Sequence, residues 1–403
     1  MGGSDEGIML DGEFLSDPHA FFRKLRAEAP ACRLAAPNGF KGWLVTRYAD
    51  ARELLADSRI SKDTARARKL LRAQAEPGDD GGFVDTALSQ HMLNADPPVH
   101  TRLRKLVNKA FTARTVARLR PRIEEITAEL LDEMAKAGSV DLVKSFAFPL
   151  PTTVICELLG VPGEDRERFS AWSATLLSRS ELEAVRRDSA AMATYLRELI
   201  DGKRQTPTED LLSELVHVSE EGDRLSAEEL VAMAFLLLVA GHETTVNLIG
   251  SSVLALLDNP DQLAALRADE SLLPNAIEEF LRFEGPVNIA TLRFTVEPVR
   301  VGEVEIPAGE FVLISLLSAN RDPGRFPDPD RLDVTRAPGG HLAFGHGIHY
   351  CVGAPLARLE AEIALGGLLR RFDSLALEGE PETLRWRDST LIRGLESLPI
   401  RVH

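Results

Sequence analysis

The sequence predicts a mainly α-helical fold with a smaller β-sheet region, and three observations carry that expectation. A long apolar segment opens at Ser226-x-x-Glu229 and is closed by Asp258-Asn259-Pro260. Strand-like runs are confined to short stretches, notably 42–48 and 299–315, among helical patterns. A single cysteine, Cys351, stands on a glycine-rich loop just ahead of a further helical pattern. No internal repeat or dividing linker interrupts the 403 residues, so the chain reads as one domain over 1–403. Large helical proteins built around a cofactor reach that size.

Ser226-x-x-Glu229 is a capping box, which supplies acceptors to the first free amides of a helix. The helical pattern then runs to about Leu257. At the α-helical rise such a helix spans roughly 45 Å, most of the width of a domain. A helix apolar nearly all round belongs in the interior. Gly42 to Tyr48 reads as a strand and Ala49 to Ala56 as a short helix. From Val299 to Ile306 polar and apolar residues partly alternate, and Pro307-Ala308-Gly309 then turns into Phe311 to Ser315, a hairpin signal. Residues 61–95 read as a mobile excursion, of the length that covers a site.

The net charge of −15 argues against nucleic acid as a partner. Cys32, Cys156 and Cys351 are scattered and lack CxxC spacing. That pattern argues against a disulfide framework or zinc ribbon and suits a reducing cytoplasm. The acidic N-terminus has no signal-like apolar core. The most apolar run, Leu230 to Gly241, falls short of the ~20 residues of a membrane helix. A soluble cytoplasmic protein without a membrane anchor is therefore expected.

The loop from His341 to Pro355 suits a thiolate that binds one open metal face. Gly347 and Gly353 let backbone pass close to a flat ligand. Phe344 can pack on the sulfur, and nearby amides with the helix terminus favour the thiolate. One cysteine is a poor zinc site but a sufficient axial ligand for haem. A second constellation, Ala240-Gly241-His242-Glu243-Thr244-Thr245, interrupts the long apolar helix. These residues are costly there by propensity, which points to function. Ala240 and Gly241 leave room for dioxygen over a metal, and Glu243 with Thr244 can relay protons. Thr244 can also bond back to a carbonyl one turn earlier, loosening the helix locally. A zinc-hydrolase reading of His242-Glu243 fails, because position 246 is Val rather than a second His. Glu279 and Arg282, one helical turn apart, can pair.

The pattern Phe344-x-x-Gly347-x-x-x-Cys351-x-Gly353 resembles the haem-ligand signature of the cytochrome P-450 superfamily. The segment 240–245 resembles its oxygen-activation segment, and Glu279-x-x-Arg282 its Glu-x-x-Arg pair. Asp17-Pro18 and Trp43 to Tyr48 look like soluble bacterial, especially actinomycete, members. The resemblance implies the P-450 fold, with haem b between the long central helix and the cysteine loop and helix, and Cys351 as iron ligand. It implies that Arg331 completes a buried three-charge network with Glu279 and Arg282. It also places His100, Arg104, Arg293 and His349 on the haem propionates. Val287, Ile289, Ala290, Leu391 and Ile392 would line a substrate pocket, with further walls from 81–93, 165–200 and the helix up to Ala240. The implied activity is a monooxygenase of secondary metabolism that hydroxylates a bulky hydrophobic small molecule, macrolide, polyketide or steroid-like, using O2. Electrons would come from a separate ferredoxin and ferredoxin reductase fed by NAD(P)H. The donor would dock where Arg102, Lys105, Lys109 and Arg358 form a basic patch. A peroxide-driven peroxygenase and a non-catalytic haem sensor or carrier are the alternatives; neither needs Glu243 and Thr244.

Overall fold

The computed structural model of the protein describes residues 7–10, 12–35, 40–74, 87–177, 181–218, 223–337 and 339–403. Of the excursion over 61–95, residues 75–86 lie outside the described residues. Its flanks form a helix, Thr64–Gln74, and short turns of 3-10 helix at Ala87–Ser89 and Met92–Asn94.

The strands are β1 (Ile8–Met9), β2 (Ala31–Ala35), β3 (Lys41–Val45), β4 (Ile60–Ser61), β5 (Ser139–Asp141), β6 (Arg293–Thr295), β7 (Val299–Val301), β8 (Val304–Ile306), β9 (Phe311–Ile314), β10 (Leu375–Leu377) and β11 (Pro399–Val402). The larger sheet runs β1-β2-β3-β9-β6-β4, with separate sheets β10-β11-β5 and β7-β8. The hairpin differs from expectation. Its turn is Gly302-Glu303, between Val301 and Val304, and not Pro307-Ala308-Gly309. Gly302 takes the positive φ of 59° that a two-residue turn demands. Phe311, Val312 and Ile314 are buried, so β9 leaves the hairpin and becomes an interior strand between β3 and β6.

The central helix, Ala227–Asp258, carries the predicted cap. Ser226 Oγ accepts from the Glu229 amide at 3.1 Å, and Glu229 accepts from the Ser226 amide at 2.9 Å. The helix stays continuous through 240–245. It packs against helices Pro149–Leu159, Leu182–Gln205 and Ala354–Arg371. Among the described residues it is the one helix long and apolar enough to cross a membrane, yet 78% of its most apolar window is buried inside the fold.

The charge network on helix Leu273–Phe283 needs a correction. Glu279 and Arg282 pair through two hydrogen bonds, at 2.7 and 2.8 Å, deep in the core. The third charge is the guanidinium of Arg336, whose Nε donates to Glu279 Oε1 at 3.1 Å. Arg331 gives only its carbonyl, to Arg282 at 3.3 Å, and its side chain is exposed. A turn closed by the Arg331 amide on the Asp328 carbonyl points that side chain outward, and the next turn, at 333–336, brings Arg336 back. Arg336→Ala removes one charge-assisted hydrogen bond from Glu279, which keeps Arg282, and is expected to cost about 1.5–3 kcal/mol, while Arg331→Ala is expected to stay within about 0.5 kcal/mol. Denaturant unfolding of the two variants checks this.

Candidate active site

Helix Ala354–Arg371, the cysteine helix, starts three residues after Cys351, with Gly353 as its N-cap and Pro355 in its first turn. The Cys351 amide donates to the Phe344 carbonyl at 2.9 Å, closing the loop on itself. Burial pushes the thiol up. The amides of Gly353 and Ala354, directed at the sulfur, and the guanidiniums of Arg104 and Arg358 work the other way. Cys351 is nonetheless exposed, because it faces a cavity. Gly347 is needed for a reason other than ligand clearance. Its φ is 73°, and a Cβ would lie 2.9 Å from Ala56 Cα and Leu55 O of the helix Tyr48–Ala56. At Gly353 a Cβ would reach Cys351 Sγ at an ordinary 3.7 Å.

The central helix forms the facing wall, with Ala240 and Thr244 one turn apart on the cavity side. Thr244 Oγ1 donates to the Ala240 carbonyl at 3.1 Å. Gly241 also reaches the cavity, but the place of its missing Cβ is taken by Ile155, 2.7 Å away, so its smallness serves helix packing. Glu243 is buried and turned from the cavity towards Arg387, whose Nη1 donates to it at 2.6 Å; His242 Nε2 lies 3.7 Å away. Burial would raise the Glu243 carboxyl, but His242 and Arg387 outweigh it and hold it below the usual range. Arg387 sits beside the bridge between Trp386 and Leu395. That C-terminal segment presses on the central helix through Gly394, where a Cβ would fall 1.8 Å from Asn247 Oδ1. Asn247 in turn donates to the Glu243 carbonyl at 2.7 Å.

At one end of the cavity His100, Arg104, Arg293 and His349 converge. The His100 and His349 rings lie 4.4 Å apart. Both His100 ring nitrogens and Arg293 Nε are buried without a hydrogen-bond partner. Burial together with the neighbouring cations lowers His349 to about 2, and burial lowers Arg293 to about 10.

A family model described as cytochrome P-450 matches residues 171–393. The chain is 55% identical over 394 residues to cytochrome P-450 107B1 of Saccharopolyspora erythraea, covering 98% of this chain and 97% of that one. It is 52% identical over 395 residues to the cytochrome P-450 monooxygenase PikC of Streptomyces venezuelae, covering 97% and 92%. The tirandamycin C-bound P-450 monooxygenase TamI superposes with a TM-score of 0.90 at 51% identity, covering 98% of this chain and all of that one. The chain belongs to the cytochrome P-450 family. It is accordingly a monooxygenase with a haem-thiolate iron cofactor, and the cavity suits that group. A sulfur flanked by amides faces it on one side, small residues face it on the other, and at its edge lie Arg293, with a buried unpartnered Nε, and His100, with both ring nitrogens unpartnered.

Several residues of this P-450 lie elsewhere than expected. Val287 and Ala290 line the cavity, but Ile289 does not and belongs to a separate core cluster with Phe14, Phe22 and Leu317. Leu391 and Ile392 are not on the lining. Ile392 bridges to Val287, and the Leu391 carbonyl accepts from Asn288 at 2.9 Å. Among the described residues none from 165–200 lines the cavity, whereas Met92, Leu93, Leu236 and Leu237 do. The basic patch is smaller than predicted. Arg102 pairs with Glu229, and Arg358 grips Glu278 at 2.6 and 2.9 Å, while Lys105 is exposed.

Sequence reasoning missed Arg387 and Glu360, since each gains its meaning from a distant partner. Glu360 lies on the cysteine helix, wholly buried, with neither oxygen in good hydrogen-bond geometry; the Thr245 hydroxyl is the polar group facing it. Burial pushes its carboxyl up to about 8 from an ordinary 4.5. Between those values the folded state holds a proton that the unfolded chain has lost, so stability falls as pH rises through that window. Glu360→Gln keeps the shape and removes the charge. Its gain in melting temperature over the parent is expected to be larger at pH 8 than at pH 5, and equal gains would contradict this.

Proposed function

We propose that this protein hydroxylates a bulky, uncharged, hydrophobic secondary metabolite of macrolide, polyketide or steroid-like type, acting as one cytoplasmic P-450 domain. The observation that carries the reading is that Thr244 and Ala240 face the same apolar cavity as Cys351. Its other walls, including Met92, Leu237, Val287 and Ala290, are aliphatic or thioether groups suited to such a ligand. That a related monooxygenase binds tirandamycin C supports a secondary-metabolite substrate.

The cofactor is haem b, with Cys351 as iron ligand and His100, Arg104, Arg293 and His349 on its propionates. Arginine forks and imidazole donors suit carboxylates. When bound, the haem supplies reductive activation of O2, so that one oxygen atom enters substrate and the other leaves as water. Electrons come from NAD(P)H through a separate ferredoxin reductase and ferredoxin, whose acidic surface suits Lys105 and Lys109. Thr244 holds a proton, or a water, at its Oγ1 on the cavity wall. Glu243 exchanges protons with solvent on the side where Arg387, partly exposed, pairs with it, the guanidinium itself keeping its charge. A peroxygenase or haem carrier would need neither group.

Thr244→Ala removes one hydroxyl and favours the helix. The variant is expected to keep its substrate-induced spectral shift and its NADH consumption while releasing peroxide in place of product. Product per NADH equal to the parent, measured with a substrate lacking hydroxyls, would contradict the assignment. Arg387→Gln removes a cation that holds the Glu243 carboxyl low. The fall in turnover on acidification is then expected to begin at higher pH, read from the pH profile of kcat.

A further inference from the structure

Lys62 follows β4, whose antiparallel pairing of Ser61 with Phe294 sets it beside Arg293. Its side chain is buried, an unusual place for an ammonium without a carboxylate. Of the three donors of that ammonium the structure shows one in use, Nζ to Thr291 Oγ1 at 2.5 Å. Among the described residues the carboxylate acting on Lys62 is Asp96, itself engaged by the Ser61 hydroxyl and by the Lys62 amide at 2.9 Å. Meanwhile Lys62 acts as a repelling cation on His91, His100 and His349, and is itself repelled by Arg293. Burial and mutual repulsion push Lys62, His100 and His349 towards their neutral forms, and an anion shared among them would restore the charge.

We propose that Lys62 is an additional anchor for the carboxylates of the bound haem, a positioning residue beside Arg293 and His349. This rests on the haem b reading, since it needs propionates. Thr291, its present partner, lines the cavity beside Arg293, so the amine stands within one side chain of the site.

The test uses the haem-loaded enzyme and three variants, Lys62→Met, Lys62→Arg and Thr291→Val. A pyridine haemochrome spectrum of the parent first establishes protoporphyrin haem; its absence would overturn the reading beneath the proposal and is recognised at that step. Haem transfer to apomyoglobin is then expected to be about tenfold faster from Lys62→Met, the scale of one lost hydrogen bond to a charged group. Its reduction potential is expected to move negative, because a cation near the haem favours the reduced state. Lys62→Arg should restore both, and Thr291→Val should leave haem release as in the parent. Parent-like release and potential in Lys62→Met would overturn the proposal. So would equal changes in Lys62→Met and Thr291→Val, which would make Lys62 a structural partner of Thr291. Should Lys62→Met fail to fold, Lys62→Gln carries the same comparison.

Discussion

Burying like charge is costly unless an anion shares it, and this fold gathers basic groups at one place. Lys62, Arg104, Arg293, His100 and His349 surround one end of the cavity, where burial and mutual repulsion push Lys62, His100 and His349 towards their neutral forms; among the described residues the carboxylate acting on Lys62 and Arg293 is Asp96, hydrogen-bonded to Ser61 and a backbone amide. The arrangement closes electrostatically when a group bearing carboxylates lies there. In the proposed function that same group presents a metal to Cys351, one loop away, whose thiol burial pushes up while two amides and two guanidiniums oppose it. Both requirements act on a single cavity, and the walls are placed to meet them together.

The walls are held apart and in register by elements that do no chemistry. The cysteine helix packs on the central helix, and Arg282, Glu279 and Arg336 fix the adjoining helix to the 320–336 loops that lead into the cysteine loop. The C-terminal segment acts from the other side. Arg387 holds Glu243, and Gly394 fits against Asn247 with no room for a side chain. The acid proposed to handle protons is thus held by a residue 144 positions later in the chain.

The parts of this account legible in the sequence are those written in local chemistry. The Ser226 cap, the apolar central helix and the cysteine loop each specify themselves within a turn or two. Closing a β topology is a longer-range matter, so the hairpin at 299–306 was legible as a pattern while its turn was misplaced, and β9 was drawn away to pair with β3. Arg331 and Arg336 are two arginines near one acid, and only the successive turns at 328–331 and 333–336 decide which faces inward. Ile289 shows the same limit at the cavity, since alternation along an extended segment sends it to the opposite core from Ala290. Gly241 and Gly347 were read as clearance for a ligand, whereas Ile155 and Ala56 occupy the space in question. Arg387, Glu360 and Lys62 had no local signal at all, because their meaning lies in charges brought near by the fold.

The central claim is that Cys351, through its thiolate, supplies the ligand around which this cavity is organised. The reduced, carbon monoxide-bound absorption spectrum of the parent and of Cys351→Ser tests it most directly. The account predicts a strongly red-shifted Soret band in the parent and its loss in the variant. A variant that binds haem and keeps the red-shifted band would contradict it.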